Sequence, residues 1–132
     1  MRNIFVCLKY SHPNVDHLAH TLSEVILAAG HQPVIAYQEI TERGFTTGQL
    51  WMPFVRDLLH EADLLVVVHD PQLRGGLIEV GIAYALDVPV WLLHQQAETV
   101  SHSLLGCAEQ ILVYEQWADI GPLLARALAG WD

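Results

Sequence analysis

The chain has 132 residues, of which 52% are hydrophobic, and this length predicts a single domain over residues 1–132 with one core. Six basic against fifteen acidic residues give a formal net charge of −9. This balance argues against a nucleic-acid polymer or an anionic membrane as partner, because both attract Lys and Arg. The longest apolar run, residues 64–68, is also far too short to cross a bilayer.

The first half of the chain alternates between strand and helix patterns. Residues 4–8 predict a short strand, and apolar side chains at helical spacing then predict a helix that stops at Gly30. Residues 33–37 predict a second strand. The polar segment 38–48 contains two glycines and three threonines, which predicts a loop. A second helix follows this loop and ends near Ala62.

The second half continues the same alternation. Residues 63–69 predict a third strand, whose unbroken Leu and Val run indicates burial on both faces, as in a parallel sheet. The later elements are a helix over 77–87, a strand over 88–94, a connection with a short helix over 95–108, a strand over 111–114 and a helix over 118–129. The pattern predicts an α/β fold: a three-layer, doubly wound, flavodoxin-like domain with a five-stranded parallel sheet.

An acidic residue follows the third strand at an edge where such folds bind ligands. Gly75 and Gly76 are predicted to let the chain turn sharply and to leave backbone N–H groups open to a ligand. Glu79 then falls in the first turn of the predicted helix, beside the expected ligand crevice. A fixed, ionised carboxylate there can act as a nucleophile. The alternative is that Glu79 only caps the start of the helix.

The segment from residue 63 to residue 90 resembles a family signature. Its strand, its polar loop and the run GLIEVGIAYALDVPV over 76–90 are similar to the nucleoside 2-deoxyribosyltransferase superfamily, which includes 2′-deoxynucleoside 5′-monophosphate N-glycosidases. The resemblance extends weakly over the whole chain. It implies cleavage or transfer at the N-glycosidic bond of a (deoxy)nucleoside or its 5′-monophosphate. It also implies a homodimer or higher homo-oligomer with shared sites.

The resemblance assigns roles to individual residues. It makes Glu79 the nucleophile on C1′ of the sugar, so that a covalent glycosyl-glutamate forms and water or a second base then attacks it. The leaving base needs a general acid; Asp70, at the end of the third strand, is the favoured candidate, and Asp57 is the alternative. Ser101 matches a serine that N-glycosidases of the family place on the 5′-phosphate of a neighbouring subunit's substrate. Alternatively, Ser101 caps a short helix.

The loop after the first strand departs from the family pattern. Relatives often carry a tyrosine in that strand where this chain has Phe5. Tyr10 is a candidate to supply the missing hydroxyl, and Ser11 is a further candidate for substrate binding in the same loop. Asp16 either lines the same crevice or is only a favourable acid in a first helical turn. These departures favour the rival function, a catalytically inactive module of the same fold that binds a nucleotide or a sugar phosphate.

An apolar cluster follows the polar loop. It consists of Trp51, Met52 and Phe54. These side chains either stack on a nucleobase or fill a core or dimer contact, and the second interpretation is the one that we favour.

The cysteines and histidines predict neither a disulfide nor a metal site. Cys7 and Cys107 are the only cysteines and are expected to be reduced in a cytoplasmic protein. The N-terminus enters a strand directly and lacks the pattern of a signal peptide, which supports the same location. His17 and His20 have no further ligands at metal spacing. Neither a GxGxxG nor a Walker motif is present, so no cofactor is expected.

Overall fold

The computed structural model describes residues 1–9 and 12–131. The strands in this part of the chain are β1 Asn3–Cys7, β2 Gln32–Ile35, β3 Leu64–Val68, β4 Val90–Gln95 and β5 Gln110–Tyr114. The α-helices are α1 Val15–Ala28, α2 Ala36–Glu42, α3 Gly48–His60, α4 Gly75–Ala85, α5 His102–Cys107 and α6 Ile120–Ala129. No helix among the described residues is both long enough and apolar enough to span a membrane.

The strands form one parallel sheet in the order β2-β1-β3-β4-β5. This arrangement confirms the predicted α/β class and the flavodoxin-like, five-stranded parallel sheet. The chain moves outward from β1 to β2 and then returns to place β3 on the other side of β1. The point between β1 and β3 is therefore the topological switch point, where open α/β sheets leave a crevice at the carboxyl ends of the strands.

Alternating side chains of the central strands divide the core between the two faces of the sheet. Ile4 and Val6 of β1 pack with α1 and α6 on one face. Phe5 and Cys7 of the same strand pack with α3, α4 and α5 on the other. All five residues of β3 are buried, as its unbroken apolar run predicts. Helices on both faces give the three layers of the predicted architecture.

The prediction of a loop over 38–48 is wrong for its first part. The second strand ends at Ile35, and helix α2 begins directly at Ala36. Gln, Glu and Arg are good helix formers, and the Arg43 side chain pairs with the Glu39 carboxylate at 2.7 Å, one helical turn away. The helix stops only before Gly44, which has a φ of 69°. Polarity misled the prediction, because a short helix on the surface needs few apolar residues.

The predicted start of the helix after β3, which is α4, is also wrong by two residues. Helix α4 begins at Gly75, with Arg74 as its N-cap residue and no acidic residue in its first turn. The glycine pair therefore lies inside the helix rather than in a turn before it. Glu79 is the fifth helical residue, in the second turn, which removes both the first-turn position and the capping alternative.

Close packing of α4 against the sheet explains why one of the two positions, 76, requires a glycine. A Cβ atom on Gly76 would collide with Cys7 Sγ and would come within 2.9 Å of the Leu73 side chain. A Cβ on Gly75 would meet nothing within 4 Å. Gly76 therefore allows α4 to approach the end of β1 closely, and this close approach brings Glu79 toward the carboxyl edge of the sheet.

Candidate active site

A cavity of about 350 Å³ opens at the carboxyl edge of the sheet. Its walls come from the end of β1, from α2 and α3, and from residues 72–79, which include the start of α4. The position matches the switch point between β1 and β3, and the volume lies in the range of small-molecule sites. The apolar part of the lining includes Trp51, Met52 and Val55 of α3. The cavity thus offers an apolar wall opposite polar groups from the strand ends.

Glu79 supplies the one carboxylate among the described residues that line this cavity. Its side chain is partly buried. Burial raises the pKa of Glu79 from 4.5 to about 7, and a hydrogen bond with the Cys7 thiol partly offsets this increase. Near neutral pH the side chain therefore exists in both protonation states, and its ionised form is poorly solvated. Such a carboxylate can serve as a nucleophile or as a proton acceptor.

Cys7 lies behind Glu79 at the end of β1. Its side chain is buried, and it pairs in register with Val67 of β3. Burial raises the pKa of the Cys7 thiol well above 9.0, and the charge of Glu79 and the hydrogen bond to it act in the same direction. The thiol therefore keeps its proton at neutral pH.

Tyr37 of α2 lines the cavity and carries a hydroxyl group. This hydroxyl donates a hydrogen bond of 2.9 Å to Asp16 Oδ1 on α1. Burial, followed by this bond to Asp16, raises the pKa of Tyr37 above 10.0, so the phenol is protonated at neutral pH. Asp16 does not line the cavity itself, but it is hydrogen-bonded to Tyr37, which does. Sequence reasoning placed Tyr37 in the second strand and missed it, although its position at the end of that strand predicts the same sheet edge.

Two cationic side chains lie at the same cavity. Lys9 follows β1, and its Nζ donates a hydrogen bond of 2.9 Å to Gln72 Oε1. Arg74 is exposed at the start of α4. The positive end of the α4 helix dipole adds to these charges. An anionic group on a ligand therefore has favourable electrostatic surroundings beside Glu79.

Solved structures of the same fold cover nearly the whole chain. A CMP N-glycosidase from Clostridium botulinum matches with a TM-score of 0.72 at 15% identity, over 97% of this chain and 98% of that one. A 2-deoxyribosyltransferase from Bacillus psychrosaccharolyticus matches with a TM-score of 0.70 at 18% identity, over 98% and 92%. One from Leishmania mexicana gives 0.70 at 14% identity, over 98% and 99%. The chain has the 2-deoxyribosyltransferase fold.

This similarity confirms the fold that the sequence resemblance implied. No protein-family model matches the sequence, and no curated protein matches it either. Identities of 14–18% establish a shared fold but do not establish a shared activity. The residues that this 2-deoxyribosyltransferase fold places around Glu79 therefore carry the functional argument.

Neither candidate general acid lies in the cavity of Glu79. Asp70 Oδ1 accepts a hydrogen bond of 2.8 Å from the backbone N–H of Gln72 and lies 4.0 Å from Lys9 Nζ. Asp70 lines an adjoining cavity of only about 20 Å³ on the other side of the sheet, and Lys9 lines both. Asp57 is exposed and pairs with Arg56 at 3.5 Å. The role of Asp70 as general acid therefore stays a prediction.

Of the remaining residues predicted to bind substrate, some line the cavity and one has a local structural role. Ser101 is the N-cap of α5, where its Oγ accepts a hydrogen bond of 3.2 Å from the Leu104 N–H. Ser101 is exposed and does not line the cavity of its own chain. Gly75 and Gly76 do line it. Tyr10 and Ser11 lie outside the described residues, so their predicted contacts with substrate stay predictions.

The three side chains of the predicted apolar cluster lie on α3 but have different surroundings. Trp51 and Met52 line the cavity, where Trp51 offers an aromatic surface to a planar ligand. Phe54 packs instead against Phe45, with ring centroids 5.6 Å apart, and beneath Arg43 at 4.3 Å. Across residues 1–9 and 12–131, no three His, Cys, Asp or Glu side chains group as metal ligands would.

Proposed function

We propose that the protein cleaves or transfers the N-glycosidic bond of a (deoxy)nucleoside or its 5′-monophosphate. The observation that carries this proposal is Glu79, the one carboxylate among the described residues lining a cavity of about 350 Å³ at the switch point. Its pKa of about 7 suits a group that must be ionised to attack carbon near neutral pH. The fold shared with a CMP N-glycosidase and with 2-deoxyribosyltransferases supports the same reaction class.

The reaction proceeds in two displacements at C1′ of the sugar. A carboxylate oxygen of Glu79 forms a bond to C1′, and the C1′–N bond breaks with its electron pair leaving on the base, which takes up a proton. In hydrolysis, water then attacks C1′ and releases its proton; in transfer, a ring nitrogen of a second base attacks instead. Either step breaks the ester and restores the Glu79 carboxylate, following the logic of retaining glycosidases.

The leaving base requires a proton donor. Asp70 remains our first candidate for this role and acts from the Lys9 side of the site. Tyr37 is the second candidate, because it lines the cavity of Glu79 and its hydroxyl is protonated. The variants Asp70→Asn and Tyr37→Phe separate the two candidates, because only the variant that lacks the true donor should release base slowly. This slowing should be largest for the base that is hardest to expel as an anion.

A 5′-monophosphate suits the site better than a free nucleoside. Lys9 and Arg74 line the cavity together with the first turn of α4, and each favours an anionic substituent. Ser101 of a neighbouring subunit is a further phosphate contact, one that an assembly would supply. We therefore expect higher kcat/KM values for monophosphates than for the corresponding nucleosides.

We also propose that the protein forms a homodimer or a higher homo-oligomer. Helix α4 exposes 45% of Leu77, 56% of Ile78 and 59% of Tyr84. Leu77 and Tyr84 share one stripe of the helix with Gly81 between them. A contiguous apolar surface of this kind typically marks an interface, and a two-fold pairing through it would place a second chain beside the active site.

The cysteines favour a cytoplasmic location. Cys7 and Cys107 are free, and Cys7 is buried. A reducing compartment keeps such thiols unoxidised, and cell fractionation tests this assignment.

The activity is tested with a panel of nucleosides and 5′-monophosphates, with and without a second base as acceptor. We expect the wild-type protein to release free base, and the Glu79→Gln variant to release it at least about 1,000-fold more slowly, because an amide cannot attack C1′. Glu109→Gln, which alters an exposed acid outside the cavity, is the matched control. Chromatography follows the base, and mass spectrometry of quenched enzyme detects the glycosyl ester on Glu79.

The same panel distinguishes the rival function. A nucleotide-binding module without catalysis would be stabilised by a ligand in a thermal-shift assay and would release no base. That pattern across the whole panel would show that our proposal is wrong.

A further inference from the structure

His69 and Glu98 form a hydrogen-bonded pair at the carboxyl edge of the sheet. His69 directly follows β3, and its Nδ1 lies 2.8 Å from Glu98 Oε2 in the connection after β4. The two side chains are only 9% and 14% exposed. An ionised carboxylate only accepts hydrogen bonds, so Nδ1 of His69 carries a proton. The other ring nitrogen, Nε2, has no hydrogen-bond partner among the described residues.

The Glu98 carboxylate is itself held from a second side. Its Oε1 accepts a hydrogen bond of 2.7 Å from the backbone N–H of Gln95, the last residue of β4. The end of one strand therefore fixes the carboxylate, and the carboxylate fixes the imidazole at the end of the neighbouring strand. Such a carboxylate–histidine pair sets the tautomer and orientation of the ring and makes its far nitrogen more basic.

His69 lines the cavity of about 20 Å³ together with Asp70 and Lys9. Glu98 does not line it, so the ring meets the cavity with the edge away from Nδ1, which carries Nε2. One ordered water needs roughly 10–15 Å³ and two to four polar partners. The cavity therefore has the size and the lining of a site for a single water. Lys9 also lines the cavity of Glu79, so the two cavities adjoin.

The other ionisable groups around this small cavity leave His69 as the oriented base. Lys9, after β1, lies 4.0 Å from the Asp70 carboxylate. His12, before α1, pairs with no acidic side chain among the described residues. Burial, with the charges of Glu98 and Asp70, raises the pKa of Tyr114 on β5 to about 12, so its phenol keeps its proton at neutral pH.

We propose that the small cavity holds one water through which His69, oriented by Glu98, passes a proton to Asp70. A carboxylic acid ordinarily loses its proton well below neutral pH, whereas an imidazole exchanges one near it. A histidine behind Asp70 is therefore a better store for the proton that the leaving base requires. The inference rests on the proposed function, because that base is where the proton goes. His69 touches neither sugar nor base and acts only through Asp70.

The proton returns to its starting point over the two displacements. As the C1′–N bond breaks, His69 Nε2 gives its proton to the bridging water, the water gives one to Asp70, and Asp70 gives one to the base. In the second displacement, the attacking water or acceptor base releases a proton, which returns through the same groups in reverse order. Glu98 stays ionised throughout and stabilises the imidazolium whenever it forms.

The kinetic test compares two leaving groups. CMP releases cytosine, which needs a proton, whereas 4-nitrophenyl ribofuranoside 5′-phosphate releases an anion that needs none. His69→Gln keeps a polar side chain but cannot carry the proton. We expect this variant to lower kcat by about 100-fold for CMP and by less than about twofold for the nitrophenyl substrate. His20→Ala, which alters an exposed histidine of α1, is the control and should match the wild type with both.

Nitrogen-15 NMR of histidine-labelled protein tests the pair without any substrate. At a pH where the ring is neutral, we expect the proton of His69 on Nδ1 in the wild type and on Nε2 in Glu98→Gln. The introduced amide would keep its oxygen on the Gln95 N–H and would donate its own N–H to Nδ1. His69→Gln identifies the signal. Glu98→Gln should also slow the reaction of CMP at least about tenfold, because the wrong tautomer blocks the relay.

A high-resolution crystal structure of the wild type should show one water within hydrogen-bond distance of both His69 Nε2 and Asp70. A cavity without that water would overturn the inference, as would a neutral wild-type His69 with its proton on Nε2. Equal losses with the two leaving groups would also overturn it, since His69 would then only support the fold. If the wild-type protein turned over neither substrate, the proposed function would fail, but NMR and crystallography would still decide the water site.

Discussion

Glu79 combines a chemical role with an energetic cost. Its carboxylate lines the cavity, yet burial raises its pKa to about 7, so ionising it in the folded protein is unfavourable. Residues kept at such a cost are typical of functional sites. A group that only stabilised the fold would not need an acidic side chain at this position.

Replacing Glu79 should therefore stabilise the protein in a pH-dependent way. Below about pH 4.5, Glu79 is protonated in both the folded and the unfolded chain and contributes no difference. Between pH 4.5 and about 7 the folded protein retains a proton that the unfolded chain loses, so the free energy of unfolding falls as pH rises. Above pH 7 the penalty is constant, at about 3 kcal/mol.

We accordingly expect Glu79→Gln to be more stable than the wild type by about 3 kcal/mol at pH 8 and nearly equal to it at pH 4. Urea unfolding at the two pH values measures the difference. Glu109→Gln, an exposed acid, should show no such trend. Equal stabilities of wild type and Glu79→Gln at pH 8 would mean that the Glu79 carboxylate is not desolvated.

Helix α4 shows how packing, rather than turn chemistry, places a site residue. Its two adjacent glycines have different surroundings: Gly76 lies against Cys7 and Leu73, whereas Gly75 faces open space. A glycine pair after a strand indicates a turn from sequence alone. In the fold, one glycine permits the close approach of helix and strand, and the helix starts two residues earlier than the pattern predicts.

The two glycines provide a matched pair of variants. Gly76→Ala should destabilise the protein by about 1–3 kcal/mol, because its methyl group would overlap Cys7 Sγ and force α4 or β1 to shift. Gly75→Ala should be neutral or stabilising by up to about 1 kcal/mol, since alanine favours the helix. Urea unfolding at one pH compares them, and a similar effect of both substitutions would contradict the packing explanation.

At the scale of the whole molecule, none of the described residues covers the exposed apolar surface of α4. Leu77, Ile78 and Tyr84 lie on it, adjacent in sequence to Glu79. Leu27, which is 52% exposed, lies on α1 at the opposite face of the sheet and offers a comparison. A partner on α4 would bury apolar surface close to the active site, whereas a partner on α1 would not.

The oligomer proposal predicts that Leu77→Glu lowers the molar mass in solution from that of a dimer or larger assembly toward that of the 14.8 kDa chain, because a buried, unpaired carboxylate disfavours the interface. Leu27→Glu should leave the assembly intact. Size-exclusion chromatography with light scattering measures both. A wild-type protein that elutes as a monomer at micromolar concentration would show that α4 is not a self-association surface.

The sequence by itself determined the parallel sheet and the position of Glu79 at its carboxyl edge. The unbroken apolar run of β3 requires burial on both faces, and alternation with helices leaves few other topologies. These are local patterns, and the structure confirms the fold they predict. The nearby loop over 38–48 was mispredicted because polarity alone does not distinguish a surface helix from a loop.

Only the tertiary structure decided what surrounds Glu79. Cys7 and Tyr37 are distant from Glu79 in sequence and reach the same place through the pairing of β1 with β2 and β3. Asp70, which is close in sequence, lines the adjoining cavity instead. Strand order and helix approach are set by the packing of the whole core, so no local pattern specifies which side chains meet at the carboxylate.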